Sequence, residues 1–158
     1  MKRSFIVMLL VLFALPVSAV ETKEYTIFDT FVFSAPKDTK LEKIGLDAIE
    51  ASRDGGSVVF YFVEKDVAAS MPSEALGLRY FNSTYMATAL PGEGTVERVI
   101  FGTKIKGERQ EVNIPRPSIL ESYKVETNKG ILFIGLKSPN PDKSKAFFDT
   151  VVSTLKVK

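Results

Sequence analysis

Residues 25–34 alternate in character: Tyr25, Ile27, Phe31 and Phe33 share one parity, with Thr26, Thr30 and Ser34 among the other. Period two marks a strand with one buried face, and Ala35-Pro36 ends it. Leu41 and Ile44 sit at helical spacing within residues 37–46, but Gly45 opposes a long helix, so this stretch predicts a loop or short turn. Residues 48–52 and 57–64 flank Arg53-Asp54-Gly55-Gly56, and Asp-Gly accepts the positive φ of a tight hairpin turn. The second arm, Val58 through Val63, is apolar on both parities. Such a run predicts an interior strand covered on both faces, and therefore layers on both sides of a sheet.

Residues 70–90 supply one such layer as a helix. Ser70 is its N-cap, Pro72 lies in its first turn and Glu74 meets the positive end of its dipole. Leu78, Phe81 and Tyr85 recur at helical spacing beside Leu76 and Tyr80, and Pro91-Gly92 stops the helix. A strand follows over Thr95 to Ile105, with Val99, Phe101, Thr103 and Ile105 inward and Arg98, Lys104 and Lys106 outward. Lys106-Gly107 turns it into a partner over Arg109 to Ile114, and Pro115-Arg116-Pro117 interrupts. Ile119 to Thr127 predicts another strand, which Asn128-Lys129-Gly130 turns into Ile131 to Leu136, again apolar on both parities. The chain closes on a helix with Asn140 as N-cap, Pro141 at its first position and Asp142 against the dipole. Phe147, Phe148, Val151, Val152 and Leu155 form its apolar stripe.

Together these elements predict one α+β domain over residues 20–158, with a mainly antiparallel central sheet and helices packed on its faces. The order of elements resembles the Mog1/PsbP-like α/β/α sandwich family. The likeness is carried by Phe31-Val32-Phe33-Ser34-Ala35-Pro36 and by the closing run Ala146-Phe147-Phe148-Asp149-Thr150-Val151-Val152-Ser153-Thr154-Leu155-Lys156. The resemblance implies a non-catalytic accessory or binding protein, and it brings no catalytic residue with it.

The first nineteen residues stand apart from this pattern. Lys2 and Arg3 precede an apolar run from Phe5 to Leu15, then Pro16 and Val17-Ser18-Ala19, the order of a cleavable secretory signal with a small-residue cleavage site. The run is shorter than the roughly 18 to 20 residues that span a bilayer, so cleavage after Ala19 is expected rather than a retained anchor. With no cysteine in the chain, no lipid can be attached at the cleavage point. The expected location is the periplasm or the extracellular space, with no stable membrane anchor.

Charge changes the choice of partner. The chain has 21 Lys and Arg against 19 Asp and Glu, but Lys2 and Arg3 belong to the leader, so residues 20–158 are formally neutral. Nucleic acid is therefore not expected as a partner. The absence of cysteine removes a disulfide framework, and stability rests on burial. The absence of histidine removes Ser-His-Asp and Cys-His nucleophile activation, imidazole metal sites and the usual neutral-pH base.

Short motifs add little. Ser34-Ala35-Pro36-Lys37 has the Ser-x-x-Lys spacing of penicillin-recognising enzymes, but it follows a strand and its companion motifs are missing. Gly102 to Gly107 has P-loop glycine spacing without the Lys-Ser/Thr pair, and it lies in a hairpin. Asn82-Ser83-Thr84 is a glycosylation sequon placed mid-helix. Glu64 with Asp66, or Glu121 with Glu126, are nominal carboxylate pairs for a hydrolase. No segment has calcium-loop spacing, so neither metal nor cofactor is expected.

The least ordinary surface is basic: Arg98, Lys104 and Lys106, with Arg109 across the hairpin and Arg116 held between two prolines. Lysines on a sheet edge also serve simply to deter edge-to-edge pairing. The expected function is binding of a protein or a small anionic ligand through Lys104, Lys106, Arg109 and Arg116. A carboxylate-based envelope hydrolase and a structural envelope component are the alternatives.

Overall fold

A seven-stranded antiparallel sheet organises the chain. The computed structural model describes residues 20–86, 93–112 and 117–158, so the leader, the Pro91-Gly92 helix stop and Arg116 lie outside the described residues. Two meanders build the sheet. The first comprises β3 (Lys40–Ile44), β4 (Ala48–Arg53) and β5 (Gly56–Glu64); the second comprises β6 (Gly94–Ile100), β7 (Thr103–Val112), β8 (Ser118–Glu126) and β9 (Gly130–Ser138). They join by antiparallel pairing of β5 with β9, giving the order β3-β4-β5-β9-β8-β7-β6. The two runs that are apolar on both parities are therefore the two central strands, as their composition requires.

One face carries Val58 and Phe60 of β5, Leu132, Ile134 and Leu136 of β9, and Tyr123 and Val125 of β8. Two elements cover it side by side. The first is a separate small sheet of β1 (Thr22–Ile27), β2 (Phe31–Pro36) and β10 (Lys156–Val157), in the order β1-β2-β10. The second is α3 (Pro141–Thr154), whose stripe Phe147, Phe148, Val151 and Val152 is buried as expected. The opposite face, with Val59, Tyr61, Val63 and Phe133, lies under the crossover between the meanders: α1 (Lys65–Ala68), a short 3₁₀ helix (Ser73–Leu76) and α2 (Leu78–Tyr85). Cover on both faces makes this an α+β sandwich.

Several local features depart from the sequence expectations. Residues 25–34 form a hairpin, β1 to β2, because Phe28 and Asp29 adopt positive φ and reverse the chain. Tyr25 and Ile27 then face Phe33 and Phe31 across the ladder rather than along one strand. Residues 40–44 are an edge strand instead of a turn. Gly77 is extended, with ψ 153°, which divides the expected long helix into the 3₁₀ turn and α2, while Ser70 caps nothing and donates to the Val67 carbonyl. Residues 87–90 fall outside the described residues.

The second meander is corrected most. Its first turn is Phe101-Gly102, both at positive φ, so β6 ends at Ile100 and β7 starts at Thr103. Gly107 is not a turn residue but lies inside β7, opposite Tyr123, where a Cβ would stand 2.6 Å from the tyrosine ring and 2.4 Å from the Ser122 carbonyl oxygen. By contrast Asp54-Gly55 forms the expected two-residue hairpin turn, with both φ values positive. Asn140 accepts from the Lys143 amide at 3.2 Å, with Pro141 first in the helix, as the N-cap pattern predicts. Among the described residues no helix is long and apolar enough to cross a membrane.

Candidate functional site

The antiparallel register decides where the cations go. Arg98 lies opposite Ile105, so Val96, Arg98 and Ile100 all point to the face that α3 covers. Arg98 is thus an inward residue, the reverse of the expected outward one. Lys104 and Lys106, opposite Val99 and Glu97, are exposed on the other face. Arg109 is exposed too, but it shares the face of Arg98 and sits opposite Glu121. Three of the four predicted binding residues therefore lie on one hairpin without forming one row, and Arg116 lies outside the described residues.

From β6 the Arg98 side chain must cross β7 to reach β8. Gly107 opens the way, because its missing side chain leaves room for Tyr123 to lie against the β7 backbone. The guanidinium then meets Glu121 Oε2 through Nη2 at 3.0 Å and Nε at 3.3 Å, and Asp149 Oδ1 of α3 through Nη1 at 2.7 Å. Tyr123 Oη donates to the same Glu121 oxygen at 2.8 Å, and Lys145, one turn before Asp149, reaches Asp149 Oδ2 at 2.5 Å. This network ties β6, β8 and α3 together.

Its electrostatics follow from that geometry. Burial works against charge on Arg98, but the hydrogen bond to Tyr123 and the field and hydrogen bond of Glu121 outweigh it and hold the pKa above its ordinary value. The Tyr123 hydroxyl is pushed up, first by burial and then by its bond to Glu121. Burial alone would raise Asp149, yet hydrogen bonds from Lys145 and Arg98 bring it below the ordinary aspartate value. All three groups are held in their ordinary neutral-pH states.

Beside the network lies a cleft of ≈ 210 Å³ between the sheet and the start of α3, with Arg98, Arg109, Glu121, Ser138, Lys145 and Phe148 in its walls. Pockets for drug-sized ligands run to roughly 300–1,000 Å³, so this one suits a single side chain or a small anion. Arg98 is fully engaged. Arg109 is not: its only ion pair among the described residues is a loose 3.8 Å contact with Glu111, and its side chain is 44% exposed. The nominal carboxylate pairs do not assemble there. Glu126 is exposed and on the opposite parity of β8 from Glu121, and Glu64 and Asp66 are exposed around the start of α1. Sequence reasoning missed Glu121 and Asp149 as partners of Arg98; the signal available was an arginine between the apolar positions Val96 and Ile100.

The sandwich and its covering layers define a class, the antiparallel α+β sandwiches, and solved structures place the fold within it. The chain is similar to cyanobacterial PsbP (CyanoP) from Synechocystis sp. PCC 6803, with TM-score 0.54 and 16% identity over 90% of this chain and 96% of that one. It is also similar to the Ran-binding protein Mog1p of Saccharomyces cerevisiae, with TM-score 0.52 and 10% identity over 88% of this chain and 96% of that one. A protein from Bacteroides thetaiotaomicron matches with TM-score 0.56 and 11% identity over 81% of this chain, which spans 45% of that protein's length. No protein-family model matches the sequence, and no curated protein matches it. The chain has the Mog1/PsbP-like fold, as the resemblance implied.

Proposed function

We propose that this is an exported, non-catalytic accessory protein that binds acidic groups of a protein partner through the β6–β7 hairpin and the adjoining α3 cleft. The carrying observation is the arrangement of Arg109: an exposed guanidinium at a cleft sized for one side chain, next to an arginine already neutralised by Glu121 and Asp149. A partner carboxylate at this position meets Arg109 directly. Lys104 and Lys106 extend the basic surface to the other face of the same hairpin, and Arg116 is the fourth cation of the proposal. The strand β6 adds a sheet edge, since among the described residues it pairs only with β7. Within this fold, Mog1p carries the description Ran-binding protein, a precedent for protein recognition by the scaffold.

The hydrolase alternative draws no support from this cleft. A general acid needs a raised carboxyl pKa, and Asp149 is held low while spending both oxygens on Arg98 and Lys145. The large exposed apolar side chains among the described residues, such as Leu46, Val67, Tyr80 and Val99, are spread over different elements. That distribution lends no weight to a structural component built on an apolar patch.

The binding reading is tested by comparing the native protein with a variant carrying Lys104, Lys106, Arg109 and Arg116 changed to Gln, both immobilised against extract from the source cell envelope. The variant is expected to lose specific partners about tenfold or more, with retention falling as salt rises. Equal recovery by both proteins sinks the proposal. Export is tested separately by sequencing the N-terminus of the protein recovered outside the cytoplasm, which is expected to begin at Val20; recovery with Met1 intact defeats it.

A further inference from the structure

A second cleft, ≈ 450 Å³, lies away from the Arg98 network, over the end of the sheet where the β4–β5 hairpin turns. Its floor is a row set by three registers. Lys137 on β9 faces Ser57 on β5, Ser57 faces Ser52 on β4, and Ser52 faces Lys40 on β3. Residues opposite one another in antiparallel ladders share a face, so all four stand on the face of Val59 and Tyr61, opposite to that of α3. Neighbouring strands lie about 4.8 Å apart, which puts the two lysine backbones roughly 14 Å from each other. Both lysines line the cleft together with Ser52 and Ser57, so their flexible four-carbon stems bring both ammonium groups within reach of one group resting above the serine hydroxyls.

Edge protection does not explain this row. Lys137 and Ser57 lie on the two central strands, where this face is otherwise apolar, and Ser57 is only 8% exposed. Nor are the lysines used internally. Arg53, Asp38 and Asp54 also line the cleft but are paired with one another, Arg53 Nε lying 3.0 Å from Asp38 and 3.4 Å from Asp54, whereas Lys40 and Lys137 enter no ion pair among the described residues. One step along β4 from Ser52, Glu50 lines the same cleft and also has no cation partner among the described residues. A carboxylate there accepts hydrogen bonds from hydroxyls and repels a second anion.

We infer that this basin binds a small hydroxylated organic phosphate, its phosphoryl oxygens held between Lys40 and Lys137 over Ser52 and Ser57, and its hydroxyls turned towards Glu50. Two ammonium groups and two hydroxyls match the several acceptor oxygens of a phosphate better than the single acceptor edge of a carboxylate. The cleft volume falls in the range for a compact ligand of this class.

The test is a titration of the purified ¹⁵N-labelled protein with a hexose 6-phosphate, with inorganic phosphate and with the neutral hexose, following amide shifts. Saturable shifts centred on residues 40, 52, 57 and 137 are expected for the hexose phosphate and more weakly for inorganic phosphate, with none for the hexose. Lys40→Gln with Lys137→Gln should weaken hexose phosphate at least tenfold, and Glu50→Gln should weaken it severalfold relative to inorganic phosphate, whose binding should hold or tighten once the repelling charge is gone. Lys40→Gln alone, on an exposed edge strand, keeps the test available if the double variant folds poorly. No saturable shift with either phosphate, or equal binding by the lysine variants, overturns the inference. Because the basin and the Arg109 cleft lie on opposite faces, neither result bears on the other.

Discussion

Phe60→Ala is expected to destabilise the fold by about 3 to 5 kcal/mol, the range for emptying a buried phenylalanine site. Phe60 is fully buried at the centre of β5, and its ring stacks on Phe33 of β2 with centroids 5.3 Å apart. That contact matters because β1, β2 and β10 form a sheet of their own, outside the seven-stranded ladder. Side chains join the two sheets: Phe33 on Phe60, and Phe31 edge-on to Phe62 at 5.0 Å. Relaxation cannot refill the void cheaply when one wall is a two-stranded hairpin and the other a central strand. Against a total stability of about 5 to 15 kcal/mol, a loss of this size leaves a marginal protein. Denaturant unfolding should show a lower midpoint with nearly unchanged slope, and hydrogen exchange should show β1 and β2 opening first. A measured loss below about 1 kcal/mol is incompatible with Phe60 closing the two sheets together.

The same strand shows what was legible in the sequence. Val58 to Val63 and Ile131 to Leu136 are apolar on both parities, a composition that only a strand covered twice can satisfy, and they became β5 and β9. Asp54-Gly55 and Asn140-Pro141 were equally legible, because positive φ and helix capping select particular residues. Phe28-Asp29 and Phe101-Gly102 were not, since each turn opens on a phenylalanine, a bulky residue that seldom adopts positive φ.

The two missed turns had different consequences. Between β1 and β2 the facing residues Ile27 and Phe31 are four apart, so parity survives the turn and the inward residues were assigned correctly. Between β6 and β7 the facing residues Ile100 and Thr103 are three apart, so parity inverts. Treating that hairpin as one strand kept Ile105 inward but turned Arg98 to solvent. Its partners, 23 and 51 residues away, then had no reason to be sought. Gly107 misled in the same way: a glycine in a polar stretch resembles a turn, whereas this one makes room for a tyrosine.

Arg98→Met should therefore do far more than remove a surface charge. It keeps most of the aliphatic bulk but leaves Glu121, whose side chain is 12% exposed, with only the Tyr123 hydroxyl at 2.8 Å among the described residues. Removing one partner of a fully buried pair costs about 3 to 5 kcal/mol and of an exposed pair under about 1, so a value near 2 to 3 kcal/mol is expected here. Adding Glu121→Gln should recover more than half of the loss, because the uncompensated carboxylate goes with it. Failure of that rescue would mean that packing rather than charge holds Arg98 in place. The pH dependence gives an independent readout. Asp149 has a folded pKa below its ordinary value, through burial opposed and outweighed by Lys145 and Arg98. Its contribution is complete above the unfolded value of about 4 and is lost as pH falls through the folded one. Since the Asp149 side chain is 42% exposed, that contribution is screened and small beside the Glu121 effect. In Arg98→Met the fall in stability below about pH 4 should be shallower than in the native protein, with Lys145 alone still holding the carboxylate. The same variant leaves Arg109 as the cleft's neighbour to an unpaired Glu121, directly opposite on β7. If Arg109 swings in to neutralise it, the guanidinium offered to a partner is withdrawn, and binding through the hairpin should weaken even where the protein stays folded.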